Sequence, residues 1–134
     1  MKKRNGFTLV ELLAVIVILA IILVIAVPQI MDTIDGARKA SIESSVKMVA
    51  AQAENQYTVA QTLGNVGTGE NQFNPGTSTS KATCGTWAGL NDIDYASCTY
   101  YIDGSTAKVT ITGSGKFDGY TCTDGTRTKA TCSK

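Results

Sequence analysis

Residues 6–27 read GFTLVELLAVIVILAIILVIAV, and the rest of the chain is organised around this stretch. From Leu12 to Val27 all sixteen residues are apolar, and with Phe7 to Val10 they make a segment of 21 residues whose only charge is Glu11. As a helix such a segment is about 30 Å long, the thickness of a bilayer's hydrocarbon core. An ionisable group inside it costs about 2.5–3.5 kcal/mol, so Glu11 calls for a compensating partner and points to a function. Lys2, Lys3 and Arg4 precede the segment and would hold the N-terminus in the cytoplasm, with the remainder outside. The apolar run is too long for a secretory signal peptide and continues to Pro28 without an A-x-A-like cleavage site, so the helix is kept in the mature protein.

Beyond Pro28 the pattern becomes amphipathic. Ile42, Val46, Val49, Ala53, Tyr57 and Ala60 recur at spacings of 4, 3, 4, 4 and 3, which places them on one helix face, with Lys39, Glu43, Lys47 and Glu54 off it. One long helix from Phe7 to Leu63 is expected, stopped at Gly64. Pro28 should kink it, and Asp32, Asp35 and Gly36 should weaken it locally. Residues 64–81 are rich in Gly, Asn, Ser and Thr and read as a surface loop; Trp87, Leu90, Ile93 and Tyr95 could then cover one edge of a core.

From Ser97 the apolar residues alternate. Cys98, Tyr100 and Ile102 share one strand face, Asp103-Gly104 makes a hairpin turn, and Ala107, Val109 and Ile111 line the return strand. A turn at Gly113-Ser114-Gly115 should lead to a strand through Phe117, Tyr120 and Cys122, with another turn at Asp124-Gly125. The expected fold is α+β: a long N-terminal helix packed by its C-terminal half on an antiparallel sheet of three or four strands.

Four cysteines, Cys84, Cys98, Cys122 and Cys132, all follow the membrane segment on its outer side, and an even count there reads as two disulfides. A zinc site is disfavoured by the lack of any close Cys pair and of His. Cys98–Cys122 would have to bridge an intervening strand, about 9.5 Å at two strand spacings, beyond the usual disulfide reach. Cys84–Cys98 with Cys122–Cys132 gives the shortest loops and is preferred; Cys84–Cys122 with Cys98–Cys132 is the alternative.

The junction Gly6-Phe7-Thr8-Leu9-Val10-Glu11 after a short basic leader, followed by an unbroken apolar run and Pro28, resembles the processing site of type IV prepilins and the related pseudopilins. The resemblance covers the first quarter of the chain. It implies a pilin fold, cleavage by a membrane prepilin peptidase between Gly6 and Phe7, N-methylation of Phe7, and a role for Glu11, Phe7 and Pro28 in assembly. It also implies that the stretch before Pro28 can lose helical structure in a filament, although Ala20, a strong helix former, stands where many members carry Gly. A disulfide tying down the C-terminus, as Cys122–Cys132 would, is common in that family.

The organisation so expected is a leader peptide over residues 1–6, a membrane or filament-core half-helix over 7–30, an amphipathic half over 31–63, a connecting loop over 64–96, and a sheet with a disulfide-bonded end over 97–134. The resemblance implies the major structural subunit of a type IV pilus, anchored in the cytoplasmic membrane as a precursor and extracellular once assembled. Its partners would be copies of itself, the prepilin peptidase, an inner-membrane platform protein and the assembly and retraction ATPases. A pseudopilin of a type II secretion or competence system and a minor pilin or adhesin share the N-terminal reasoning.

Without the leader the chain carries nine Lys plus Arg against eleven Asp plus Glu, so no polycation points to nucleic acid as a general partner. An enzyme is not expected, for want of His, a phosphate-binding Gly loop, or a Ser or Cys beside an evident base. No cofactor or metal is expected either: Asp118 and Asp124 could offer oxygen ligands to calcium but precede Gly at ordinary turns. Trp87, Tyr100, Tyr101 and Tyr120 are read as core residues before they are read as an adhesive surface.

Overall fold

The computed structural model describes residues 6–134, so the basic cluster Lys2, Lys3 and Arg4 lies outside the described residues. Helix α1 spans Leu9–Leu63. The chain divides into two units, the first ending at Gly36 and the second running from Ala37 to Lys134. In the first unit the helix is helical throughout: the ladder passes Pro28, Asp32, Asp35 and Gly36, and the local weakening expected there produces no break. A single missing donor at Pro28 leaves the hydrogen bonds on either side in place.

The helix ends as its sequence dictates. Gly64 adopts φ 66°, its N–H donates to Gln61 O at 3.2 Å, and Asn65 N–H donates to Ala60 O at 2.8 Å, which together form a Schellman cap.

Within the second unit five strands form an antiparallel meander: β1 Ala82–Thr83, β2 Tyr95–Asp103, β3 Thr106–Gly113, β4 Thr121–Gly125 and β5 Cys132–Ser133, in that spatial order. The sheet is therefore wider than the three or four strands expected, by short edge strands of two residues each that carry too little pattern to be read. Asp103 still pairs with Thr106, so the β2–β3 loop is Gly104-Ser105, with Gly104 at φ 66°. Phe117 falls in a 3₁₀ turn, Gly115–Phe117, and not on a strand. Asp124-Gly125 is not a turn: both belong to β4, where the register shifts between Val109 and Ile111 and Asp124 takes φ 49°, so the turn-prone pair serves a bulge. The turn follows at Thr126, whose N–H donates to Lys129 O at 2.7 Å.

The core is the helix stripe against the inner sheet face. Ile42, Val46, Val49, Ala53 and Ala60 are buried, joined by Ala50, while Tyr57 packs its ring 6.1 Å from Phe73 at the margin. Opposite them lie Cys98, Tyr100, Ala107, Val109, Ile111, Phe117 and Cys122. Leu90 and Tyr95 pack on this cluster, but Ile93 is 79% exposed and covers nothing. Tyr101, on the other sheet face, is buried beneath the lysine stems of Lys81 and Lys108, whose ammonium groups lie 5.6 and 5.8 Å from its ring centre.

Two glutamates flanking the stripe hold the helix to the sheet backbone. Glu54 Oε1 accepts from Ala107 N–H at 3.1 Å, and Glu43 Oε1 accepts from Cys132 N–H at 3.2 Å. These N–H groups sit where the ladder has run out, so a side chain replaces the missing strand.

Disulfides join Cys84 to Cys98 and Cys122 to Cys132, across Cα separations of 5.4 and 4.1 Å. Cys98 and Cys122 both pair with Ile111, from its two sides, so a whole strand separates them. A pair of such bonds, each stabilising by about 2–4 kcal/mol, matters in a unit this small.

At Gly125 the sheet comes so close to the helix that an added Cβ would run into Val46 Cγ1. Gly125→Ala should lower the thermal midpoint of the full chain, at a cost of about 1–3 kcal/mol; an unchanged midpoint would contradict the packing described. Asp94 anchors the segment after β3, and its carboxyl is held below its ordinary 3.8 by a hydrogen bond from the Lys116 ammonium, with burial opposing. A lowered native value stabilises above the ordinary carboxyl range, and that contribution is lost as pH falls through the native value. Asp94→Asn should thus narrow the stability gap between neutral and strongly acidic solution, as read by denaturant melts at the two pH values.

Candidate functional site

The apolar segment starts with a polar arrangement. Thr8 stands immediately before the first helical residue, Leu9, and its Oγ1 accepts from Glu11 N–H at 3.2 Å. In return Glu11 Oε2 accepts from Thr8 N–H at 2.8 Å. This is a capping box: two donors left without partners at a helix start are satisfied reciprocally, and the carboxylate lies at the positive end of the helix dipole. Thr8 was not singled out by the sequence reading, although Thr-x-x-Glu before an apolar run is a recognisable signal for it.

Phe7, Glu11, Leu12, Ala14 and Val15 line one shallow recess beside this cap. Gly6 and Phe7 precede the helix and are exposed, Phe7 by 91%, so the Gly6–Phe7 peptide bond lies in open, non-helical chain. Glu11 lies in the first turn of the helix and lines the same recess as Phe7, which precedes the helix, whereas Pro28 is in mid-helix, about five turns on by the helical repeat of about 3.6 residues.

From Phe7 to Ile25 every residue is exposed, including Leu12, Ile18, Leu23 and Ile25 at 63, 57, 59 and 63%. The helix is long and apolar enough to cross a membrane. A surface apolar on all sides has no stripe to turn inward and must be covered by lipid or by other helices.

The remaining sites named from the sequence are structural. The four cysteines are all engaged in the two disulfides. The Asp124 carboxylate accepts from Lys81 Nζ at 2.8 Å and from Thr110 Oγ1 at 3.4 Å, and Asp118 is exposed at the end of the 3₁₀ turn. Tyr100, Tyr101 and Tyr120 are buried and Trp87 partly so. Burial pushes the Tyr100 phenol up to about 12, and its hydroxyl donates to Asn74 O at 2.7 Å.

Residues 1–27 match the family model described as the prokaryotic N-terminal methylation motif. Over 58 residues the chain is 40% identical to a Thermus thermophilus protein named type IV narrow pilus major component PilA5, covering 43% of this chain and 47% of that one. Over 50 residues it is 38% identical to a Pseudomonas aeruginosa protein named type II secretion system core protein G, covering 37% of this chain and 35% of that one. The chain thus spans less than half the length of each of these relatives. No solved structure gives a significant match. The motif and the apolar helix behind it fit a membrane-anchored precursor, and the relatives are named as a pilus component and a secretion-system component. The N-terminal motif, these relatives and the long helix on an antiparallel sheet support a type IV pilin or pseudopilin family for the chain.

Proposed function

We propose that the chain is the main structural subunit of a type IV pilus, cut after Gly6, methylated at Phe7 and polymerised into a helical surface filament. The observation that carries this reading is Glu11 at the head of an apolar helix that is exposed along its length, directly after the Gly6-Phe7 junction. In the uncut chain the Phe7 nitrogen is an uncharged amide. Cleavage turns it into an ammonium four residues from Glu11, which supplies the opposite charge that a carboxylate in an apolar medium requires. Processing and polymerisation are thereby coupled: the amine of one subunit, or of its neighbour, neutralises Glu11, and apolar helices pack side by side. Repetition of one heterologous contact gives a fibre that does not close.

In this reading residues 1–6 are the leader, 7–30 the filament core, 31–63 the amphipathic half-helix, 64–96 the connecting loop and 97–134 the sheet with its disulfide-tied end. Its partners are the prepilin peptidase, a membrane platform protein, motor ATPases and copies of itself. Adhesion, motility and DNA uptake are the roles such a fibre would serve. The Pseudomonas aeruginosa relative favours a second reading, a pseudopilin of a secretion or competence system. Long sheared surface fibres with this chain as dominant protein would support the first reading, and short fibres confined to the envelope the second.

Glu11→Gln isolates the charge, since the glutamine carboxamide still offers an acceptor oxygen to the capping box while the negative charge is lost. With this variant as sole subunit, membrane insertion and cleavage should persist while fibre yield falls at least about tenfold, the loss expected when a buried charge pair is broken. Wild-type fibre yield would refute the pairing.

A further inference from the structure

A second site lies in the Ala37–Lys134 unit, remote in sequence from the helix start. The end of α1, the loop that follows and the start of the sheet enclose an open groove of about 490 Å³, within the usual range for small-molecule clefts. Val59 and Leu63 form one wall and are 55 and 73% exposed, apolar surface off the stripe that packs inward. Facing them are Phe73, Trp87 and Tyr100, with the Trp87 ring edge-on to Tyr100 at 5.3 Å between centroids and Phe73 5.8 Å from Tyr100.

The polar groups of the groove are all neutral: the carboxamides of Gln56, Asn65, Asn71, Gln72 and Asn74 and the hydroxyls of Thr83 and Tyr100, with no charged side chain among the described residues. Two donors stand open. Neither the Trp87 indole N–H nor the Gln56 carboxamide has a hydrogen-bond partner among the described residues. Gly85 keeps the indole edge accessible, because a Cβ there would stand 2.9 Å from Trp87 Nε1.

We propose that this groove binds a neutral oligosaccharide. Sugar rings present apolar C–H faces, which suit the aromatic rings and the Val59–Leu63 wall, and rims of hydroxyls that both donate and accept, which suit carboxamides and an indole N–H. A lining without charge gives no grip on phosphates, sialylated glycans or basic ligands, which separates this site from an ionic one. The site is independent of whether the subunit builds a pilus or a secretion fibre.

Trp87 is the sole tryptophan, so intrinsic fluorescence of the full chain reports on the groove directly. In a detergent without a sugar head group, titration with maltotriose and with tri-N-acetylchitotriose should give a saturable change for at least one of them. Gln56→Leu should weaken that binding about fivefold, as loss of one neutral hydrogen bond does, with an unchanged melting midpoint. Trp87→Phe, followed by saturation-transfer NMR on the sugar protons, should weaken it likewise. Absence of a saturable response to both sugars, wild-type affinity in both variants, or an equal response to tetra-alanine peptide would overturn the assignment.

Discussion

An apolar helix that its own chain leaves uncovered is the constraint on which everything else here depends. Burying one large aliphatic side chain is worth about 1.5–3 kcal/mol, and the exposed run from Phe7 to Ile25 is built almost wholly of such residues. No loop or sheet in so short a chain could repay that exposure in water. In the function proposed, lipid satisfies it before assembly and like helices satisfy it afterwards, so the same surface would serve both states. In that proposal Glu11 makes the two states unequal: in lipid it would have only its capping box, whereas in a bundle of processed subunits a cation would stand nearby.

The second unit solves a different problem, holding a small domain together on one helix. The stripe from Ile42 to Ala53 buries itself in one cluster with Ala107, Val109, Ile111 and Cys122, and the carboxylates of Glu43 and Glu54 reach past the stripe to the sheet backbone. The short edge strands contribute little pairing of their own, but a disulfide ties each to the sheet's interior or its neighbour, Cys84 beside β1 to Cys98 in β2 and Cys132 in β5 to Cys122 in β4. Covalent ties at both margins secure edge strands of only two residues each.

Much of this was legible from the chain alone where one strong physical pattern dominated. The apolar run, the stripe at helical spacing, the Gly64 stop and the alternation through Tyr100 and Val109 each have a single structural solution. The reading failed where two signals competed. Asp124-Gly125 has turn chemistry but lies in β4, because the bulge also needs a positive φ; Phe117 fits a strand period but sits in a 3₁₀ turn between Ser114 and Asp118. Ile93 is apolar yet exposed, and strands as short as Ala82–Thr83 carry no periodicity. At the helix start Glu11 stands out by its charge, whereas the role of Thr8 lies in the weaker Thr-x-x-Glu signal, which the hydrogen bonds it exchanges with Glu11 make plain. The glutamates of the second half were placed off the stripe correctly, but their bonds to Ala107 and Cys132 depend on the sheet's ragged edge, which no local pattern encodes.

The central claim is that the chain matures by exposing the Phe7 amine and lives as a polymer in which that amine meets Glu11. Intact-mass spectrometry with N-terminal fragmentation of the dominant protein in sheared surface fibres tests it most directly. The account predicts a chain that begins at methylated Phe7. Recovery of the chain with residues 1–6 still attached, and only from membranes as single subunits, would contradict it.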